Sequence, residues 1–368
     1  MNKFPLNTSN FDATIIDAMK IANVPGAAIL TICDRQIEYA KGYGVADPQT
    51  GRIVTPDTLF TIASISKTVT ATALMTLYEQ KKLTLDDDIN LHLPFKVCNS
   101  YFPDTAITFR MLLSHTSSLR DSDLFFEYYT LKKTPVLPDS PIILGDFLND
   151  YLSSDGMLYK VEDNFLNSKP GTKYTYSNVG FGLLGFLIEC ISGIQFNEYC
   201  KQFIFEPLGM KNTAWYFKDV DVNLMAIPYG YDDSIHKPIH YGFYSYPTYP
   251  DGALKTSVNE FARFLFLFIN KGNTMEGKPF LRTETVKQML HLHKFPGLDQ
   301  GQEVGLAWHF DGHFYWHDGG DPGISTLTYF NQTTGQGTIF FSNGDNFDIL
   351  VPFLEENIRN FRPTIIAS

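Results

Sequence analysis

Residues Thr68 to Lys82 run without a Gly or Pro and consist mostly of Thr, Ala, Leu, Met and Val. Such an unbroken run reads as a helix. Ser64-Ile65-Ser66-Lys67 stands directly before it. Positions i and i+3 of a helix share one face, about 5–6 Å apart at Cβ, so Lys67 falls within reach of the Ser64 hydroxyl. A serine hydroxyl is a poor nucleophile at neutral pH and needs a base beside it. Ser64 sits where free N–H groups and the helix dipole favour a developing oxyanion. Apolar surroundings one turn further in lower the pKa of the Lys67 amine. These are the requirements of a covalent acyl-enzyme. The pattern occurs again at Ser234-Ile235-His236-Lys237. That copy lies between Pro228 and Pro238 among Gly, Tyr and Asp, and reads as loop.

A chain of 368 residues with 44% apolar and 19% charged residues is long enough for a substantial core in one large or two interlocked domains. The 31 Phe and 20 Tyr read first as core, with some left to line an apolar pocket. The net charge of −11 and the lack of a basic stripe argue against nucleic acid as a partner. Cys33, Cys98, Cys190 and Cys200 form no C-x-x-C pair and are expected as free, mostly buried thiols. No apolar run reaches the roughly 18 residues of a membrane span. Met1 to Asn10 lacks the basic-then-apolar pattern of a signal. The expectation is a soluble chain, cytoplasmic as it stands and periplasmic or secreted if a signal was removed. Oligomeric state is not legible.

Amphipathic spacing predicts a helix over 10–22, ended by Val24-Pro25-Gly26. Ala27–Cys33 and Gln36–Tyr43 predict a hairpin around Asp34-Arg35. Residues 83–245 read as short helices and loops, with Phe109–His115 and Gly180–Ile191 the clearest helices. Ser257–Lys271 and Thr283–His293 predict helices. Val304–Phe310, His313–Trp316, Ser325–Phe330 and Thr338–Phe341 predict an antiparallel meander, and Ile349–Phe361 a closing helix. The expected fold class is α+β. Residues 1–82 and 246–368 would share an antiparallel sheet, residues 83–245 would form a mainly helical insertion, and the active site would lie between.

Three further segments carry chemistry. Tyr176 and Asn178 stand in a turn before a helix. Met111–Ser117 ends a helix, with His115 expected to brace rather than react. His317-Asp318-Gly319-Gly320 follows a strand. Tyr176 can share a proton with Lys67, the two titrating as a pair. Asn178 offers an amide to hold Lys67 and the substrate. Gly319 and Gly320 let a substrate backbone approach closely. His309, His313 and His317 read as strand and turn rather than as metal ligands, and neither metal nor cofactor is expected.

Ser64-x-x-Lys67, Tyr176-x-Asn178 and His317-x-Gly319, in this order, resemble the three motifs of the serine β-lactamase-like family. That family groups class C β-lactamases, DD-carboxypeptidases and transpeptidases, D-aminopeptidases and family VIII esterases. Met111–Leu119, Lys169–Gly185, Glu206–Met210 and Asp251–Phe264 are similar to further family segments. The resemblance spans roughly residues 10 to 360. It implies the β-lactamase/transpeptidase fold, with Ser64, Lys67 and Tyr176 catalytic and Asn178, His317, Gly319 and Gly320 binding substrate. It also implies an oxyanion hole made by the N–H groups of Ser64 and Gly320. The substrate would be a small-molecule or short-peptide acyl compound: an ester, a D-amino-acid amide or peptide, or a β-lactam. An acyltransferase and a non-turnover penicillin sensor are the rival readings. Two departures stand out. His317 replaces the lysine usual in β-lactamases, which implies weak β-lactam hydrolysis. Ser118 replaces a glycine. Asp318, one step from His317 on a strand, is expected to face away from the cleft.

Overall fold

The structure is a computed structural model that describes residues 8–129, 138–232, 234–346 and 350. An eight-stranded antiparallel sheet draws its strands from the two ends of the sequence. Near the N-terminus lie β1 (Gly26–Cys33), β2 (Gln36–Asp47) and β3 (Arg52–Ile53). The C-terminal strands are β4 (Glu303–Val304), β5 (His309–Phe310), β6 (Tyr315–Asp321), β7 (Ile324–Asn331) and β8 (Gln336–Ser342). Their order is β3-β2-β1-β8-β7-β6-β5-β4. The two groups join where β1 pairs with β8, in a register that sets Ala27 opposite Ser342 and Ile32 opposite Gly337. The fold is thus the α+β arrangement expected.

Helices cover both faces of the sheet. Helix α1 (Thr8–Ile21) packs Phe11, Ile15 and Met19 on one face, with Ile29, Leu327 and Phe340. On the other face, α2 (Ser66–Glu79) is buried over most of its length and shares one core with α3 (Phe109–Leu113), α4 (Asn178–Ser192) and α5 (Val258–Ile269). A helix apolar nearly all round belongs inside. Two glycines on α4 set a close approach that matters for the site. A Cβ on Gly185 would lie 2.4 Å from Pro250 Cγ, and one on Gly182 would lie 2.8 Å from Thr248 Cβ. The single turn Tyr249–Asp251 therefore seats directly on α4.

Several boundaries differ from expectation. The helix from Thr283 stops at Met289, because His293 and Val304 exchange both backbone hydrogen bonds and pull the chain into an extended bridge. The His317–Gly320 segment lies inside β6 rather than after a strand. Residues 83–245 also contain a hairpin, Tyr229–Asp232 with Lys237–His240. Ser234 sits exposed in its turn, so the second S-x-x-K copy is not helical. Of the cysteines, Cys200 is buried, Cys33 and Cys98 are half-buried and Cys190 is exposed. The correction at Cys190 has a simple cause: Leu183, Leu184, Leu187 and Ile188 take the inner face of α4 and leave Cys190 outside. The closing helix expected over 349–361 lies outside the described residues apart from Leu350. Among the described residues, no single helix is long and apolar enough to cross a membrane.

Candidate active site

Ser64 occupies a single 3-10 turn, Ala63–Ile65, that feeds into α2. Ala63 just before it has φ +46°, a left-handed conformation that costs an L-residue about 1–2 kcal/mol and is held here by complete burial. Lys67 follows one turn later and is fully buried. Its Nζ donates to Ser64 Oγ at 2.9 Å, to Asn178 Oδ1 at 2.7 Å and to the Asp251 carbonyl oxygen at 2.7 Å. Two of these partners can only accept. The third, the hydroxyl, can accept from an ammonium or donate to a free amine. A neutral Lys67 would therefore turn its lone pair toward Ser64. Burial pushes the Lys67 amine down, and the Asp251, Asp321, Asp121 and Asp318 carboxylates pull it partly back. The Asp251 Oδ1 is 4.0 Å from Nζ, and burial pushes that carboxyl up.

Tyr176 stacks on His115, with ring centroids 4.3 Å apart and planes at 27°. Lys67 Nζ lies 5.0 Å from the Tyr176 ring centre. Burial pushes the Tyr176 phenol well above its ordinary range, and a hydrogen bond with Ser64 works the other way. Burial thus works against the charged form of both groups, the tyrosinate and the ammonium. His115 accepts from the Ser177 N–H at Nδ1 (3.1 Å), and its carbonyl accepts from the Thr175 N–H (2.7 Å). It fixes the loop that carries Tyr176. Asn178 opens α4, and Asp121 caps that helix start. The Asp121 carboxylate accepts from the N–H of Asn178 (2.6 Å), the N–H of Val179 (3.0 Å) and the Ser177 hydroxyl (3.2 Å). Ser118 carries φ +65°, which is why a glycine suits this place; the Asn99 amide donates to its hydroxyl at 2.8 Å.

Strand β6 closes the site. Residues Pro322 and Gly323 form a two-residue loop between Asp321 and Ile324. The pair closing such a loop is hydrogen-bonded, and hydrogen-bonded pairs alternate along an antiparallel ladder. Gly319–Thr326 is then bonded and Gly320–Ser325 is not, so the Gly320 N–H points away from β7. On that side β5 pairs only with Tyr315 and Trp316. The Gly320 N–H therefore faces the open cleft. Gly319 meets the Ser64 turn: a Cβ there would lie 2.8 Å from Ser64 N, 2.7 Å from the Ile62 carbonyl oxygen and 2.6 Å from Thr326 Oγ1.

The cleft measures about 480 Å³ and is lined by Ser64, Tyr176, Asn178, Gly319 and Gly320, among others. Asp318 also lines it, contrary to expectation. The reason is the missing neighbour: beyond Trp316 the strand edge is open, so side chains from both its faces border the cleft. His317 instead is buried behind the wall. Its Nδ1 is 2.7 Å from the Asp318 carbonyl oxygen, which can only accept, so Nδ1 carries the proton. Burial drives its pKa well below the ordinary histidine range. The neutral ring then offers only an acceptor at Nε2, which has no hydrogen-bond partner. With its N–H on the Asp318 carbonyl, the neutral ring has none left to give an ester or amide oxygen.

Sequence reasoning missed Asp251 and Asp121. Asp251 ends a single buried turn and Asp121 lies in a loop, neither with periodicity, and both reach the site through the packing of α4.

A family model described as Beta-lactamase matches residues 11–358. Among curated relatives, protein flp of Staphylococcus aureus (strain MW2) is 25% identical over 342 residues, covering 90% of this chain. Penicillin-binding protein 4* of Bacillus subtilis (strain 168) is 28% identical over 304 residues, covering 79% of this chain. The chain spans 62% of the length of each of these two relatives. The octameric penicillin-binding protein homologue from Pyrococcus abyssi superposes with a TM-score of 0.74 at 23% identity, over 96% of this chain and 78% of that one. The hydrolase EstCE1, described as having promiscuous acyltransferase activity, superposes with a TM-score of 0.72 at 18% identity, over 93% and 98%.

Proposed function

The chain belongs to the β-lactamase family, and from that premise we propose that it is a serine hydrolase working through an acyl-Ser64 intermediate. The observation that carries the reading is the Lys67 amine, held by two pure acceptors with its third position on the Ser64 hydroxyl. Lys67 takes the hydroxyl proton as Ser64 Oγ attacks an acyl carbonyl. The tetrahedral oxyanion lies between the N–H groups of Ser64 and Gly320. As that intermediate collapses, the proton passes from Lys67 by way of the Tyr176 phenol to the leaving group. A water molecule then gives its proton back along the same route while its oxygen attacks the acyl-enzyme, and Ser64 leaves as the hydroxyl. Asn178 holds Lys67 and offers its amide to the substrate. His317 is a positioning residue that fixes the Asp318 carbonyl on the strand edge. The substrates are esters and D-amino-acid amides or peptides, with weak turnover of β-lactams. A fluorophosphonate should add its mass to the peptide that holds Ser64. Labelling that persists in Ser64→Ala, or that appears at Ser234, would sink the proposal.

A further inference from the structure

We propose that Thr326 is a positioning residue for the reaction: its buried hydroxyl ties the strand that presents Gly320 to the turn that presents Ser64, and so sets the spacing of the two N–H groups that receive the oxyanion. This rests on the hydrolase reading above. Thr326 lies on β7 opposite Gly319 and is fully buried. Its Oγ1 is 2.9 Å from the Ile62 carbonyl oxygen and 3.2 Å from the Gly319 carbonyl oxygen. Both oxygens can only accept, so the hydroxyl donates to one or shares its proton between them. Ile62 stands two residues before Ser64, and Gly319 one residue before Gly320. The hydroxyl thus has one contact on each wall of the oxyanion pocket.

Each contact fixes a peptide plane. The Gly319 C=O and the Gly320 N–H are opposite ends of one planar trans unit. A Gly319 carbonyl held toward β7 therefore keeps the Gly320 N–H aimed into the cleft. The Ile62 C=O ends the plane from which the left-handed φ of Ala63 starts. The Ile62 N–H is held as well, by the Leu254 carbonyl oxygen at 2.9 Å. Ile62 is thus fixed on both sides, and relaxing the strained Ala63 would re-aim the Ser64 N–H. Other hydroxyls of this sheet behave differently. Thr328, two residues on and on the same face, donates to the Thr338 carbonyl oxygen of β8 at 3.2 Å, and Ser342 donates to the Ser325 carbonyl oxygen at 2.8 Å. Those bonds stay within the sheet, whereas that of Thr326 leaves it for the nucleophile's turn. A valine has the same shape and suits a buried strand equally well. What threonine adds here is the hydroxyl.

The test compares Thr326→Val, which keeps the shape and removes the hydroxyl, with Thr326→Ser, which keeps the hydroxyl. Rates are taken per Ser64 that a fluorophosphonate can label, so a loss of folded protein does not alter them. In Thr326→Val, kcat for p-nitrophenyl butyrate should fall about 10- to 100-fold, the effect of a misplaced catalytic constellation. KM should hold, because acylation and deacylation pass through the same oxyanion and slow together. The affinity for phenylboronic acid, whose tetrahedral adduct on Ser64 puts an oxygen in the same pocket, should fall by a similar factor. Thr326→Ser should stay within about threefold of wild type in both readouts. Thr328→Val should lose stability and leave kcat and boronate affinity unchanged. Should Thr326→Val not fold, Thr326→Ala against Thr326→Ser makes the same comparison, since those two differ in the hydroxyl alone. With Ser64 still labelled, three results would each overturn this inference and leave the hydrolase standing: unchanged kcat and boronate affinity without the hydroxyl, a loss as large in Thr326→Ser, or an equal loss in Thr328→Val. No labelling of Ser64 in the wild type would overturn the hydrolase reading itself, and this inference with it.

Discussion

Gly319→Ala puts one methyl group between the strand edge and the nucleophile turn. The new carbon would sit 2.6 Å from Thr326 Oγ1, 2.7 Å from the Ile62 carbonyl oxygen and 2.8 Å from Ser64 N. These separations fall short of ordinary contact by about 0.7–0.9 Å. Two of the three atoms are backbone, and the third is pinned: the Thr326 hydroxyl donates to Ile62 O at 2.9 Å. The strand and the Ser64 turn must therefore move apart rather than let a side chain swing away. Overpacking of this kind costs about 1–3 kcal/mol of stability. The larger effect should be kinetic, because the same movement separates the Ser64 and Gly320 N–H groups. Misplacing a catalytic constellation by about 1 Å costs about 100-fold, and losing one oxyanion donor costs about 100- to 1000-fold in kcat. We expect kcat for p-nitrophenyl butyrate to fall about 100-fold. Urea midpoints measured on the same preparation would report the stability term separately. If stability falls while kcat stays within about threefold of wild type, then the oxyanion is not bound between these two strand and turn amides. If neither changes, the approach of β6 to the turn is looser than described.

Lys67→Ala and Tyr176→Phe should each remove several orders of magnitude from kcat, and the double variant little more, since partners in one proton relay are non-additive; multiplicative losses in the double variant would refute the relay. Asp121→Asn should lower stability by about 1–3 kcal/mol by leaving a helix-start N–H without its acceptor, and should raise the mobility of Asn178; an unchanged urea midpoint would contradict it. Stability should also fall on the acid side in a defined window. Burial depresses the pKa of His115 and His317 well below the ordinary range, and that of His309 to about 4. The unfolded chain takes up those protons first, near pH 6.5, so stability present above that pH is lost below it by about 1.4 kcal/mol per pH unit for each histidine. Urea titrations at pH 7, 6 and 5 test this, and a flat midpoint would show that these rings protonate in the folded state.

Ser64, Lys67, Tyr176 and Asn178 were legible because their relations are local. An i, i+3 pair at a helix start and a turn before a helix carry their geometry with them. The inner strands β1, β2, β7 and β8 and helix α1 were legible for the same reason, through periodicity, and the two-residue edge strands were not. What the sequence hid depends on neighbours far along the chain. Asp251 reaches Lys67 only because Gly182 and Gly185 let the Thr248–Pro250 segment sit against α4. Asp318 borders the cleft because β5 is too short to cover it, and strand length is set by pairing rather than by composition. The role of His317 turned on which atom its Nδ1 meets, a matter of one carbonyl's direction on a strand edge.

The junction of β1 with β8 sets an order of events for a newly made chain. Ala27 leaves the ribosome early and finds its partner, Ser342, only after nearly all of the sequence described here has been synthesised. Until then β1 can pair with β2 alone, and the ribbon β3-β2-β1, whose β3 is only two residues long, is marginal in water. The Ser64 turn is in the same position, for the strand that abuts it, β6, is also late. Long-range pairing of this kind folds slowly and leaves strand edges open in the meantime. A chain cut short before β8 should thus hold its Ser64-x-x-Lys67 helix without an acylable serine. On the hydrolase reading proposed above, attack on acyl groups would then wait for the sheet to be completed.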